Sequence, residues 1–343
     1  MKHTKQPNPF RQNDLLGSAL KIGQILVLCF LCFTTSIFAG ESSIQTILLW
    51  PETPPGAKDG DAELSSATAT AIQNGAYQVP NGNRHNTRVP SIDVYLPHEE
   101  DASGVAMVIF CGGGYGAVCI GVEGLPMQQF LNDKGIAVFM VSYRCSPFNH
   151  PIPLWDAQRA LRIVRSRAKE FGVDPTKIGA MGFSAGGHEV STLSVHYDEP
   201  FGYQPIDAID AVSARPDFTC LIYPLISMRK ELTHAGSSLH LLGADPSEAL
   251  RAMLSNDEQV DQQTPPAFLV QGTNDRVVKP ENSKRYHEAC KQNGVPTKLV
   301  LLEGGMHGPA LLDGQPTIRN AKDSYADSMV QWINDLPHIV ASN

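Results

Sequence analysis

Ser184 stands between two glycines in Gly182-Phe183-Ser184-Ala185-Gly186, where the apolar run Ile178-Gly179-Ala180-Met181 gives way to small residues. A serine held on a sharp strand-to-helix turn needs glycine on both sides, because side chains there would collide with the turn. Such a turn presents the hydroxyl, and the helix opening at Ala185 aims free backbone N–H groups at whatever that hydroxyl attacks. The chemistry this suggests is acyl transfer through a serine nucleophile. An alcohol is a poor nucleophile at neutral pH, so an imidazole must take its proton and a carboxylate must orient the imidazole.

Both partners occur downstream. Asp275 follows the apolar run 267–270, in Gln271-Gly272-Thr273-Asn274-Asp275, and His307 follows the run 298–302, in Glu303-Gly304-Gly305-Met306-His307-Gly308. Singly these read as a turn aspartate and a loop histidine; with Ser184, in this chain order and at successive strand ends, they read as one set. Asp257 and Asp261 rank below Asp275 because they lie in an irregular segment, and Glu303 sits too close to its strand and to His307.

Upstream, Cys111-Gly112-Gly113-Gly114-Tyr115-Gly116 follows the run 105–110. Consecutive glycines let the backbone approach a substrate, so the amides of Gly113 and Gly114, together with that of Ala185, are expected to hold an oxyanion. A phosphate loop would need a following Gly-Lys-Ser/Thr, and the spacing fails the dinucleotide fingerprint. Tyr115, Glu123 and His188 flank these segments and are the expected substrate contacts, with a solvated acid for Glu123 and helix packing for His188 as the plainer readings. His234 and His240 have no cysteine or carboxylate pattern around them, so neither a metal nor another cofactor is expected.

These residues need a scaffold of alternating strands and helices. Continuous apolar runs at 105–110 and 136–141 are of the kind that form parallel strands covered on both faces; 178–183 reads as a short buried strand, and further strands are predicted at 218–223, 267–270 and 298–302. Between them, Leu154, Ala157, Leu161, Val164, Ala168 and Phe171 recur at steps of three and four, predicting an amphipathic helix with Arg162, Arg165 and Lys169 off its stripe. Asp156 near its start reads as a cap or a partner for Arg159. Further helices are predicted over 283–293 and 318–336, and edge strands joined by surface loops over 44–97. The fold class is therefore α/β, a mainly parallel twisted sheet with helices on both faces. Residues 225–263 break the rhythm as a small cap-like insertion before the acid-bearing strand.

The first 39 residues carry Lys2, Lys5, Arg11 and Lys21, then an apolar stretch over 22–33, then small residues up to Ala39. This predicts a signal peptide cleaved after Ala39, hence a secreted or periplasmic protein with no stable membrane partner, and a single domain over 40–343. Four basic residues and one acidic residue leave with that segment, so the net charge moves from −8 to −11, which argues against nucleic acid as a partner. Cys111, Cys119, Cys145, Cys220 and Cys290 remain, mostly inside apolar runs, and are expected to be buried free thiols.

With Gly113-Gly114, Gly182-Phe183-Ser184-Ala185-Gly186-Gly187-His188, Asp275 and His307, the chain resembles the α/β-hydrolase superfamily. Within it, Leu49-Trp50-Pro51, Pro55-Gly56-Ala57, Gly112-Gly113-Gly114-Tyr115-Gly116, Tyr143-Arg144, Pro153-Leu154-Trp155-Asp156-Ala157-Gln158-Arg159-Ala160 and Thr264-Pro265-Pro266 resemble secreted carbohydrate esterases of the acetyl xylan esterase and feruloyl esterase type. The resemblance covers nearly all of residues 40–343. It implies Ser184 as nucleophile, His307 as base, Asp275 as orienting acid, and an ester-bearing carbohydrate as substrate, acetyl being the first expectation for the acyl group. A feruloyl or general short-chain carboxylesterase is the alternative, a serine peptidase or a non-catalytic carbohydrate-binding protein the more distant ones. Two positions depart from relatives: hormone-sensitive-lipase-like esterases carry histidine where Cys111 stands, and many relatives have Gly-Phe-Gly where this chain reads Gly308-Pro309-Ala310.

Overall fold

The continuous apolar runs become the strands of one eight-stranded sheet. A computed structural model describes residues 44–340, so the predicted signal peptide lies outside the described residues. In chain order the strands are β1 (Gln45–Leu48), β2 (Ser91–Tyr95), β3 (Ala106–Phe110), β4 (Ala137–Ser142), β5 (Ile178–Phe183), β6 (Phe218–Ile222), β7 (Ala267–Gly272) and β8 (Thr297–Leu302). Their spatial order is β1-β2-β4-β3-β5-β6-β7-β8; β1 and β2 pair antiparallel and the other six strands run parallel. Every residue of β3, β4, β5, β6 and β7 is buried, as expected of strands covered on both faces.

The helices are α1 (Asp61–Gln73), α2 (Leu125–Asn132), α3 (Ile152–Ser166), α4 (Ser184–Val195), α5 (Ala235–Leu242), α6 (Glu248–Met253), α7 (Glu281–Gln292), α8 (Ala326–Asn334) and α9 (Pro337–Val340). The step from β3 to β4 runs one way along the sheet, and the steps from β4 to β5, β5 to β6 and β7 to β8 run the other way. Right-handed crossovers then put α2 on one face and α3, α4 and α7 on the opposite face. The two directions part at β3, and the loop after β3 and the turn after β5 flank this switch point at the carboxyl edge, where open α/β sheets take their ligands.

Three sequence expectations are corrected. Residues 44–97 contain more than strands and loops, because α1 fills 61–73; it buries only Asp61 and Ser65, so no apolar stripe marks it. The helix predicted over 318–336 forms only from Ala326, because Pro309–Leu312 and Gln315–Ile318 instead pair as an antiparallel hairpin, β9 and β10, around Asp313-Gly314. Asp156 neither caps a helix nor pairs with Arg159. It lies inside α3, wholly buried, and accepts from Arg144 Nε and Nη2 at 2.8 and 2.7 Å and from Trp50 Nε1 at 2.8 Å. Arg159 turns the other way, to Asp207, Asp210 and the Leu49 carbonyl.

The Arg144–Asp156 pair makes a sharp prediction. Asp156→Ala leaves a buried guanidinium and an indole N–H without their acceptor, so unfolding free energy should fall by about 3–5 kcal/mol. Urea denaturation would check it, and a loss under about 1 kcal/mol would mean that water reaches Arg144.

Candidate active site

Ser184 is the first residue of α4 and follows β5 directly, with φ at +51°, the left-handed region that non-glycine residues rarely occupy. The flanking glycines explain how the turn closes: a Cβ on Gly182 would strike the Gly186 carbonyl, and one on Gly186 the Phe110 carbonyl. The strain thus sits on a turn that its neighbours over-determine, and the hydroxyl projects at the sheet edge, partly exposed.

Two loops from the far strands meet it. Ser184 Oγ lies 2.9 Å from His307 Nε2, and His307 Nδ1 lies 2.7 Å from Asp275 Oδ2. Asp275 is enclosed and fully used as an acceptor. Oδ2 also receives Gln271 Nε2 at 3.0 Å, and Oδ1 receives the amides of Val277 and Val278 at 2.9 Å each. Gln271 is held in turn by Ser283 Oγ at 2.9 Å. Four donors match the acceptor capacity of a carboxylate, so His307 presents Nδ1–H to Asp275 and leaves Nε2 free to accept from Ser184.

The loop after β3 faces the same serine. Gly113 and Gly114 have φ of +127° and +63°, and a Cβ on Gly113 would collide with the Ala117 carbonyl, so only glycine fits. Among the described residues the amides of Gly113 and Gly114 donate to no other group, and Ala185 lies in the first turn of α4, where amides have no intrahelical acceptor. These three N–H groups are free to meet an oxyanion.

Of the three residues expected to touch substrate, Tyr115 and His188 are corrected by their surroundings. Tyr115 and His188 have no exposed surface, and Glu123 is only 6% exposed. Tyr115 Oη lies 2.8 Å from His188 Nδ1 and 2.9 Å from Glu189 Oε2, and His188 Nε2 lies 2.9 Å from the Leu254 carbonyl. A carbonyl can only accept, so His188 carries its proton on Nε2, Nδ1 accepts the Tyr115 proton, and Glu189 supplies a proton to the Tyr115 oxygen. That chain is complete only when Glu189 is a neutral acid. Burial pushes Glu189 up to about 8 and pushes His188 down to about 4, in agreement with this proton count.

The sign of the resulting pH dependence follows. The unfolded chain releases the Glu189 proton above pH about 4.5, whereas the folded protein keeps it until about 8, so this group lowers stability as pH rises between those values. Glu189→Gln cannot titrate. Its Tm relative to the parent should therefore rise by roughly 5 °C from pH 5 to pH 8, the shift that a few kcal/mol produces in a large domain. A constant difference in calorimetric scans would mean that Glu189 is already ionised in the fold at pH 5.

The insertion was legible as a segment near the site, but not which of its side chains reach the glycine loop. His240 Nδ1 lies 2.9 Å from the Gly114 carbonyl, and the His234 ring lies against Gly114. Tyr223, at φ +37° just after β6, sets its ring 4.9 Å from that of His307. None of these carries a sequence signal, because the insertion's return to the β3 loop is a tertiary event. Bounded by Phe183, the residue before Ser184, a cavity of about 310 Å³ is lined by Glu123, Met127, Leu311, Arg319 and Tyr325 among others, with β9 and β10 forming one wall. Pro309 opens β9, so the departure at that position builds the wall of this cavity. Among the described residues no helix is long and apolar enough to cross a membrane.

A family model described as BD-FAE matches residues 92–290. Endo-1,4-beta-xylanase B of Butyrivibrio fibrisolvens is 36% identical over 225 residues, covering 64% of this chain and 34% of that protein. The acetylxylan esterase of Xylanibacter ruminicola is 32% identical over 247 residues, covering 71% of this chain and 48% of that protein. The chain thus spans between a third and a half of the length of these curated relatives. Among solved structures, an acetyl ester-xyloside bifunctional hydrolase from Caldicellulosiruptor lactoaceticus superposes with a TM-score of 0.63 at 34% identity, covering 77% of this chain and 87% of that one.

Proposed function

We propose, from the premise that this chain belongs to the BD-FAE family, that it is a serine esterase removing acyl groups, acetyl foremost, from a plant-type polysaccharide or its oligosaccharides. The observation that carries the reading is the unbroken hydrogen-bond chain from Ser184 through His307 to Asp275, set beside three unused backbone amides. In this mechanism Ser184 Oγ attacks the ester carbonyl as His307 Nε2 takes its proton, while Gly113, Gly114 and Ala185 hold the oxyanion. His307 returns the proton to the departing sugar hydroxyl; water, activated by the same nitrogen, then releases the acid. Asp275 keeps the imidazole in the required tautomer throughout. Two relatives, an acetylxylan esterase and an acetyl ester-xyloside bifunctional hydrolase, support acetyl and xylan-type substrates. The basic residues, apolar stretch and small residues in sequence over 1–39 support secretion or a periplasmic address.

One observation favours the feruloyl alternative. The cavity of about 310 Å³, bounded by Phe183 just before Ser184 and by Pro309 just after the His307 loop, is far larger than an acetyl group; Met127, Leu311 and Tyr325 give it apolar and aromatic walls, with Glu123 and Arg319 as polar ones. Release of acetate and of ferulate from matched xylans separates the two readings. Acetate alone supports the acetylesterase, ferulate promotes the alternative, and cleavage of a small aryl acetate without either would place the natural ester elsewhere.

A further inference from the structure

Glu123 is nearly buried, lines the cavity behind the glycine loop and sits at the heart of the site. The turn Ile120–Gly124, a single π-helical turn after the glycine loop, brings its carboxyl back beneath that loop. Oε2 accepts from the Gly112 amide at 2.5 Å, and Oε1 accepts from Tyr223 Oη at 3.1 Å. The Gly112 carbonyl accepts from the Cys119 amide at 2.9 Å. Both peptide planes flanking Gly112 are thereby held. The second of them contains the Gly113 N–H, which points opposite to the Gly112 carbonyl and so away from Cys119. There is no slack around this point: a Cβ on Gly112 would meet the Phe183 carbonyl and Ser184 Cβ at 2.8 Å each.

We infer that Glu123 is a positioning residue for the proposed acyl transfer: its carboxyl fixes the Gly112 peptide, and through it the aim of the Gly113 amide, while bracing Tyr223 against His307. The inference rests on the esterase reading and deepens it. One carboxyl ties together the β3 loop, the residue after β6 and the wall of the imidazole, three pieces brought from separate strands. Burial pushes Glu123 up to about 7, against the opposing pull of its two donors and of His307, so the fold keeps a costly acid here. Cys111, at the position before the glycines, offers the loop no comparable brace: among the described residues its thiol donates to the Met140 sulfur, at 3.8 Å.

The test compares Glu123→Asp and Glu123→Gln in the full chain. Aspartate stays acidic but is one methylene shorter and withdraws from Gly112. Glutamine keeps the reach and an oxygen that accepts from the Gly112 amide. Reactive serines are counted by the phenolate released on stoichiometric phosphonylation with an aryl phosphonate, so kcat is expressed per competent site whatever fraction folds. With a chromogenic aryl acetate, Glu123→Asp should lose on the order of 10- to 100-fold in kcat per site with KM within about threefold, somewhat less than loss of a whole oxyanion donor. Glu123→Gln should recover most of that loss. Parent-like kcat per site in Glu123→Asp would overturn the inference, as would a change confined to KM, which would mark a substrate contact. Turnover surviving in Ser184→Ala would instead sink the esterase reading itself, a result independent of both Glu123 variants.

Discussion

Ser184→Ala should lower kcat on the order of 10⁶-fold, the loss seen when a triad acting as a unit forfeits its nucleophile. Among the described residues the Oγ atom has one hydrogen-bond partner, His307 Nε2, so removing it leaves no buried group stranded and Tm should stay within a few degrees of the parent. The strained backbone at φ +51° is no obstacle, because alanine bears the same Cβ as serine and meets the same walls. Some acceleration over water should persist, since the amides of Gly113, Gly114 and Ala185 and the binding surface are untouched. Phosphonylation of the protein should vanish together with turnover. Activity within tenfold of the parent, in a variant whose melting is unchanged, would remove Ser184 from the mechanism.

The parts of the molecule that were legible in sequence are those whose physics is local. Strands β3 to β7 announce themselves because burial on both faces demands uninterrupted apolar residues, and the turn at Ser184 because only glycine tolerates the carbonyls of Phe110 and Gly186 at that range. Helix α3 was legible from its stripe, although the structure also buries Gln158 and Arg159 beneath the segment 196–212, which no helical periodicity could foretell. What failed was the direction in which polar residues face. Tyr115 and His188 border the site in sequence, yet turn inward, Tyr115 to Glu189 and His188 to the Leu254 carbonyl; Glu123 lines the cavity but spends its oxygens on Gly112 and Tyr223. Asp156 was misread for the same reason, its real partners Arg144 and Trp50 lying on other elements rather than along the helix. Helix α1 escaped notice because a helix rich in alanine, serine and threonine that buries almost nothing leaves no pattern to read.

Asp275→Asn should be nearly as damaging as loss of the serine, by a different route. The Oδ1 atom receives two backbone amides, those of Val277 and Val278, whereas Oδ2 receives His307 and Gln271. An asparagine keeps its oxygen toward the two amides, because turning an NH₂ group toward them would strand two donors in a buried site. The NH₂ then faces His307 Nδ1, which must become an acceptor, and the imidazole proton moves to Nε2. An Nε2–H cannot take the proton of Ser184, so kcat should fall on the order of 10⁴-fold, the size seen when a serine-protease triad is forced into the wrong tautomer, while KM changes little. The geometry of the loop should survive, since the Oδ1 bonds remain. A variant with kcat within tenfold of the parent would mean that the Asp275 carboxylate does not set the His307 tautomer, and that Gln271 and the surrounding loop suffice to hold the ring.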